Sequence, residues 1–250
     1  MATTVNKPGD VRANLPGRRY DRQFFMTMVI LLTAVVAIGF APTYYLAGGF
    51  RAPLPGPIVH IHGAVFTSWM LLLLVQTGLV SAKKVQWHRK LGVAGFILAC
   101  LMVVMAILTA SNAMARAKSA PNSEAILGFL VVTFVEASVF AVLTASAYAL
   151  RRNPAAHKRL ILIATAGITG PAFFRWHVSF LYHDPYAAHY ATAMFLVILA
   201  AYDLWSTHKI QRATLWGSGF QIFMEQITTR VVGPSAAWHG FAHWVQSLNI

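Results

Sequence analysis

Between His60 and Met114 the chain holds two long apolar runs, HIHGAVFTSWMLLLLVQTGLV and LGVAGFILACLMVVMAILTASNAM, separated only by the basic turn SAKKVQWHRK. Each run exceeds the ~20 residues that a helix rising ~1.5 Å per residue needs to cross ~30 Å of hydrocarbon. The pair therefore reads as a transmembrane hairpin, and the rest of the chain is organised around it. Its polar exceptions are His60 and His62 at one edge, Gln76 further down, and His88 at the far edge.

Composition extends this reading to the whole chain. Hydrophobic residues make up 57% and charged residues 11% of the 250 positions, with a mean hydropathy of +0.58, so the chain is a polytopic membrane protein rather than a water-soluble domain. The net charge of +13 does not indicate nucleic acid, because the Lys and Arg residues stand at the ends of apolar runs, where they meet anionic headgroups. The single cysteine, Cys100, lies inside an apolar run and excludes a disulfide framework or a thiolate metal site.

The fold class expected is all-α: a six-helix transmembrane bundle. Residues 1–23 form a basic arm on the cytoplasmic membrane surface, without the cleavage site of a signal peptide. Residues 24–205 form the transmembrane domain, with spans at about 24–47, 58–82, 91–115, 125–150, 159–181 and 187–205. Residues 206–250 carry Trp216, Phe220, Phe223, Ile227 and Val231 at helical spacing, with Gln221, Glu225 and Arg230 between them. This tail is expected to lie as amphipathic helices in the cytoplasmic interface; the rival reading has it capping the bundle or contacting a partner.

Orientation follows from the short loops. One face receives Lys7, Arg12, Arg18, Arg19 and Arg22, then Lys83, Lys84, Arg89 and Lys90, then Arg151, Arg152, Lys158 and Arg159, then Lys209 and Arg212. The other receives only Arg51, Arg116 and Lys118, which places both termini in the cytoplasm of a bacterial inner membrane. An internal repeat links two of the basic turns, WHRKLGVAGF at 87–96 and AHKRLILIAT at 156–165. Helices 2 and 3 then duplicate helices 4 and 5, giving a four-helix core of helices 2–5 with helices 1 and 6 outside it.

Ionisable side chains inside a span are costly, and each marks a functional-site hypothesis. One set occupies the outer half: His60, His62, Glu136, Arg175, His177 and His189. A second, His88 and His157, sits at the cytoplasmic edge. His157 and Arg175 are eighteen residues apart, five turns at ~3.6 residues per turn, and so share a helix face. His62, Trp69, Leu73 and Gln76 fall on one stripe, and His88 leads a stripe of Gly92, Gly95, Ala99 and Ala106 that admits a helix or a flat ligand. Arg175 and Glu136 also suit a structural ion pair. His239 and His243 have the one-turn spacing of a two-histidine metal face, but no acidic ligand stands near them in sequence, so they read as the polar face of an interfacial helix.

Two histidine layers joined by helices suit b-type haem. Imidazoles supply axial ligands, small residues make room for the porphyrin, and cations meet the propionates. The inner pair is His88 and His157, with Lys90, Lys158 or Arg159 at the propionates. The outer ligand is His62, with His189 or His177 opposite and Arg175 as propionate partner. The chain then moves electrons within or across the membrane, with quinone or a redox protein as partner.

The order of these motifs, His62, Gln76, HRKLG, HKRL and Arg175, resembles a widespread family of uncharacterised bacterial multi-pass membrane proteins, a domain of unknown function. The resemblance covers residues 58–176 and brings no assigned activity. A looser likeness links the chain to transmembrane diheme cytochromes b, whose four-helix core carries bis-histidine haems in two layers; this chain departs from it because helix 4 has Glu136 and no histidine. Two alternatives stay open. One is a metal-dependent membrane enzyme with zinc or iron on His60, His62, Glu136, His177 and His189. The other is a transporter or an accessory subunit docking on other membrane subunits. Nucleophilic catalysis finds no GxSxG motif.

Overall fold

The computed structural model describes residues 20–50, 55–176, 178 and 187–248, and all regular structure among them is helical. In chain order the helices are α1 (Asp21–Phe40), α2 (Pro57–Ser81), α3 (Val85–Ala117), α4 (Ser123–Ala149), α5 (Pro154–Gly167), α6 (Gly170–Phe173), α7 (Ala187–Thr207), α8 (Arg212–Ile227) and α9 (Ala236–Ser247). π-helical turns extend α1 through Ala41–Tyr45 and α8 through Thr228–Val232. Five helices are long and apolar enough to cross a membrane: α1 with its extension, α2, α3, α4 and α7.

Proline and capping chemistry set the boundaries. Pro57 and Pro154 stand in first turns, where a missing N–H costs nothing, and Asn153 caps α5 by accepting the Ala156 N–H at 3.3 Å. Pro42 sits where α1 widens into its π turn. The expected fifth span breaks after Gly167 because Pro171 has no N–H to give and its ring conflicts with the carbonyl four residues back; Thr169 Oγ1 donates to the Ala166 carbonyl at 2.6 Å instead. Helix α3 starts six residues earlier than the apolar pattern indicates, so His88 belongs to its first turn rather than to a loop.

Contacts give each helix a direction. Asp21 at the start of α1 pairs with Lys158 at the start of α5, while Gly39 and Ala172 meet at the other end, so α1 and α5 run parallel. A side chain at position 39 would strike the Ala172 backbone, which is why only glycine permits this approach. Helices α2, α4 and α7 run the opposite way to α1, α3 and α5. One end of the bundle thus gathers Lys83, Lys84, Arg89, Lys90, Arg151, Arg152 and Lys158, and we refer to it as the basic end. The other carries the α3–α4 turn with Lys118 and Glu124.

The core is not confined to helices 2–5. Met28 and Leu32 of α1, Trp69 of α2, Phe140 of α4, Ile163 of α5 and Leu199 of α7 form one buried cluster. At its centre Trp69 meets Phe140 edge-on at 5.2 Å and donates Nε1–H to Thr165 Oγ1 at 3.3 Å.

The tail departs most from expectation. Rather than lying at the basic end, α8 climbs alongside α5: Gly217 opposes Leu160 and Ile163, Gln221 fills the space beside Gly167, and Gly233 reaches Gly128 near the start of α4. Helix α9 then packs on the opposite end, with Trp238 Nε1–H donating to the Leu127 carbonyl at 2.8 Å and Gln246 Nε2–H to the Met114 carbonyl at 2.9 Å. Asp21 and α9 therefore lie at opposite ends of the bundle. The physical reason is an inverted amphipathic pattern. Trp216 and Phe223 are 75% and 61% exposed while Gln221 is 1% exposed, so much of the greasy stripe faces outward, Phe220 packs on the core, and Gln221 and Glu225 face the bundle.

Candidate functional site

The basic end brings His88 and His157 together. Each is the fourth residue of its helix, α3 and α5, and the two rings stand edge to face with centroids 6.3 Å apart. The two imidazoles thus bring the first turns of α3 and α5 together at this end.

Both rings are held by their Nδ1 atoms. His157 Nδ1 lies 2.9 Å from the Ala147 carbonyl, one of the last-turn acceptors of α4 that has no intrahelical partner. A carbonyl only accepts, so His157 Nδ1 carries a hydrogen, and in the neutral ring that tautomer leaves the lone pair on Nε2. Gln76 reaches His88 from α2: with its amide nitrogen turned to the ring it donates to Nδ1 at 2.8 Å and to the His88 carbonyl at 3.2 Å, while its oxygen accepts the Gly92 N–H at 3.0 Å. In that state His88 carries its proton on Nε2. Turning the Gln76 amide over would place its oxygen at Nδ1 and free His88 Nε2, at the cost of setting that oxygen against the His88 carbonyl and the amide nitrogen against the Gly92 N–H.

The 6.3 Å centroid separation is the one feature of the pair that can be compared with a shared metal. Two imidazoles on opposite sides of one metal, at bonds of ~2.0–2.1 Å, stand with centroids roughly 6 Å apart. Other parts of the expected haem site differ. A Cβ on Gly92 or Gly95 would meet Gln76 Nε2 at 3.7 Å or Leu72 Cδ2 at 3.1 Å, so this small-residue stripe seats α2 rather than a flat ligand. Of the cations expected at propionates, Lys158 is bound to Asp21, Arg159 to Asp203, and Lys90 stands over the Trp87 ring at 5.2 Å.

The outer histidines are not gathered. His62 stacks on Phe66 at 4.1 Å, and its buried Nδ1 has no hydrogen-bond partner among the described residues. His60 is exposed beside Tyr44, whose hydroxyl donates to the His60 carbonyl at 3.1 Å. Arg175 lies over the Phe40 ring at 4.5 Å and donates Nη1–H to the Pro171 carbonyl at 2.7 Å. The Arg175–Glu136 ion pair is absent among the described residues, and His177 lies outside them. Neither a second bis-histidine pair with His62 nor the five-residue non-haem metal set comes together among the described residues.

Glu136 and His189 meet elsewhere, with a partner from the tail expected in the cytoplasmic interface. Glu225 of α8 places Oε2 3.7 Å from His189 Nδ1 and accepts the Gln221 Nε2–H on Oε1 at 2.7 Å. Glu136, His189, Gln221, Glu225, Thr228 and Thr229 line a cavity of about 10 Å³, the size of one water. The cavity adjoins the break in α5, where Gly170 faces Glu136 Oε1. The signal was present in the spacing of Thr214, Gly217, Gln221, Glu225 and Thr228, a small and polar stripe at intervals of three and four.

A clamp holds α8 in register for this cluster. Asp203, fully buried, accepts from Arg159 Nε at 2.9 Å and from Arg159 Nη2, from the Gln211 N–H at 3.0 Å and from Thr214 Oγ1 at 2.5 Å. With every oxygen bonded, the buried charge pair meets the condition under which such pairs are tolerated. No protein-family model, curated protein or solved structure matches this chain.

Proposed function

We propose that the chain is an integral membrane protein of the bacterial inner membrane that binds one b-type haem at its basic, cytoplasmic end and carries electrons there. The observation that supports this most is the close pair His88 and His157: the Ala147 carbonyl leaves His157 Nε2 for iron, and His88 Nε2 becomes available when the Gln76 amide turns its oxygen to Nδ1. Bound haem supplies reversible one-electron transfer. The protein's share is to hold the two rings: the Ala147 carbonyl fixes the tautomer of His157, and Gln76 sets that of His88 according to which end of its amide faces the ring.

In this reading α5 with α6, and α8 with its π turn, cross the membrane beside the five long apolar helices. The 16 residues of α8 and 5 of its extension span ~30 Å at ~1.5 Å per residue, which matches the hydrocarbon core. The positive-inside rule puts Asp21 in the cytoplasm and α9 on the outer face. Pyridine haemochrome analysis of protein expressed with ample haem is expected to give one haem per chain; two per chain, or none, overturns the reading.

A second reading is favoured by the buried acids. Glu136 and Glu225 share a water-sized cavity beside a broken helix, the setting in which transporters bind protons or cations. It predicts pH-gradient-driven flux in proteoliposomes that is lost in Glu136→Gln; equal flux in that variant removes it.

A further inference from the structure

At the end of the bundle opposite the histidine pair, three side chains from distant parts of the chain converge. Glu124 is the second residue of α4, and His239 and His243 are one turn apart on α9. Glu124 Oε2 lies 2.8 Å from His239 Nδ1 and Oε1 lies 3.2 Å from His243 Nε2. One ligand atom from each of the three residues falls within 4.8 Å of the others.

What surrounds the three decides how they are read. Each imidazole turns its second nitrogen to another oxygen: His239 Nε2 to the Gly233 carbonyl at 3.1 Å, and His243 Nδ1 to Gln246 Oε1 at 3.1 Å. Gln246 is in turn fixed by its 2.9 Å donation to the Met114 carbonyl. A hydrogen-bonded staple with acceptors at all four ring nitrogens needs both imidazoles protonated, side by side, over one carboxylate. A bound cation needs each ring neutral, with its N–H donated outward and its lone pair turned inward. That outward donation to a carbonyl or amide oxygen is how metal-binding histidines are oriented.

The backbone holds α9 for this purpose. Ser235 caps it by accepting the Trp238 N–H at 3.2 Å, and Trp238 is pinned to the Leu127 carbonyl. The Glu124 and His243 side chains are 65% and 50% exposed, so a cation enters from solvent and keeps a coordination position for water.

We infer that Glu124, His239 and His243 form a binding site for a first-row divalent cation, zinc(II) being the species that two imidazoles and a carboxylate suit best. The inference does not rest on the haem reading. The site joins α9 to α4 across the outer end and leaves the metal a position open to a further ligand.

The test uses the full-length protein in mild detergent, purified without a polyhistidine tag, stripped with chelator and titrated with Co²⁺. Visible Co²⁺ absorption and quenching of Trp238 and Trp244 fluorescence report binding, and Zn²⁺ competition reports the site's preference. The expected result is saturation at one Co²⁺ per chain, displaced by Zn²⁺, and weakened more than ~10-fold in Glu124→Gln and in His243→Gln. Both variants replace half-exposed side chains, and an unchanged elution profile and circular dichroism spectrum verify their folding. Absence of saturable Co²⁺ absorption in the wild type, or wild-type affinity in both variants, overturns the inference.

Discussion

The two ends of this bundle are built by different means. The basic end sets His88 and His157 in the first turns of two helices that carry nearly the same local motif, so each histidine's place follows from the few residues around it. The opposite end joins Glu124 to His239 across 115 residues, and its geometry exists only because α8 runs the length of the bundle and delivers α9 there. The first arrangement is legible in local sequence; the second exists only in the tertiary fold.

That contrast can be broken by perturbing what holds α8. Replacing Asp203 with Leu leaves Arg159 buried without its partner and is expected to destabilise the protein by about 3–5 kcal/mol, read as a lower thermal midpoint in detergent. Pairing it with Arg159→Met should restore most of the loss; no recovery would mean that Thr214 and Gln211, not the charge pair, carry the clamp. Trp238→Ala is expected to cost about 3 kcal/mol and to release α9 alone. It should remove Co²⁺ binding while leaving any haem spectrum unchanged, and loss of both signals would show that the ends are coupled.

The reciprocal change acts at the basic end. Gln76→Leu removes the partner of His88 Nδ1 and should weaken haem affinity by ~10–100-fold without altering Co²⁺ binding. The smallest effect is expected from Ser235→Ala, which removes the cap of α9 at about 1 kcal/mol and should weaken Co²⁺ binding a few-fold.

Most of the fold class is legible because lipid imposes length and hydropathy on each span; the five long helices match five of the six expected runs to within about three residues at every end except the start of α3, which lies six residues early. The break at Gly167 was written in Pro171, yet an apolar count passes over it. Helix α8 was misplaced for a different reason: its mixture of aromatic and polar residues satisfies an interfacial helix and a bundle helix equally, and periodicity alone does not tell which side faces protein. An interfacial placement of α8 leaves Glu225 outside the bundle, so its meeting with Glu136 and His189 does not follow from the sequence. Likewise His239 and His243 have metal-ligand spacing but no acidic neighbour in sequence, and Glu124 supplies one from another helix. Of the candidate haem residues, Gln76, His88 and His157 come together; His62, Arg175 and His189 each have different neighbours.

The central claim is that His88 and His157 share one iron. An oxidised-minus-reduced absorption spectrum of the detergent-solubilised protein, recorded beside His88→Ala, His157→Ala, His62→Ala and His189→Ala, tests it most directly. The account predicts Soret and alpha bands in the wild type, in His62→Ala and in His189→Ala, and their loss in His88→Ala and His157→Ala. A folded wild-type preparation without a chromophore, or bands that persist in both inner-pair variants, would contradict it.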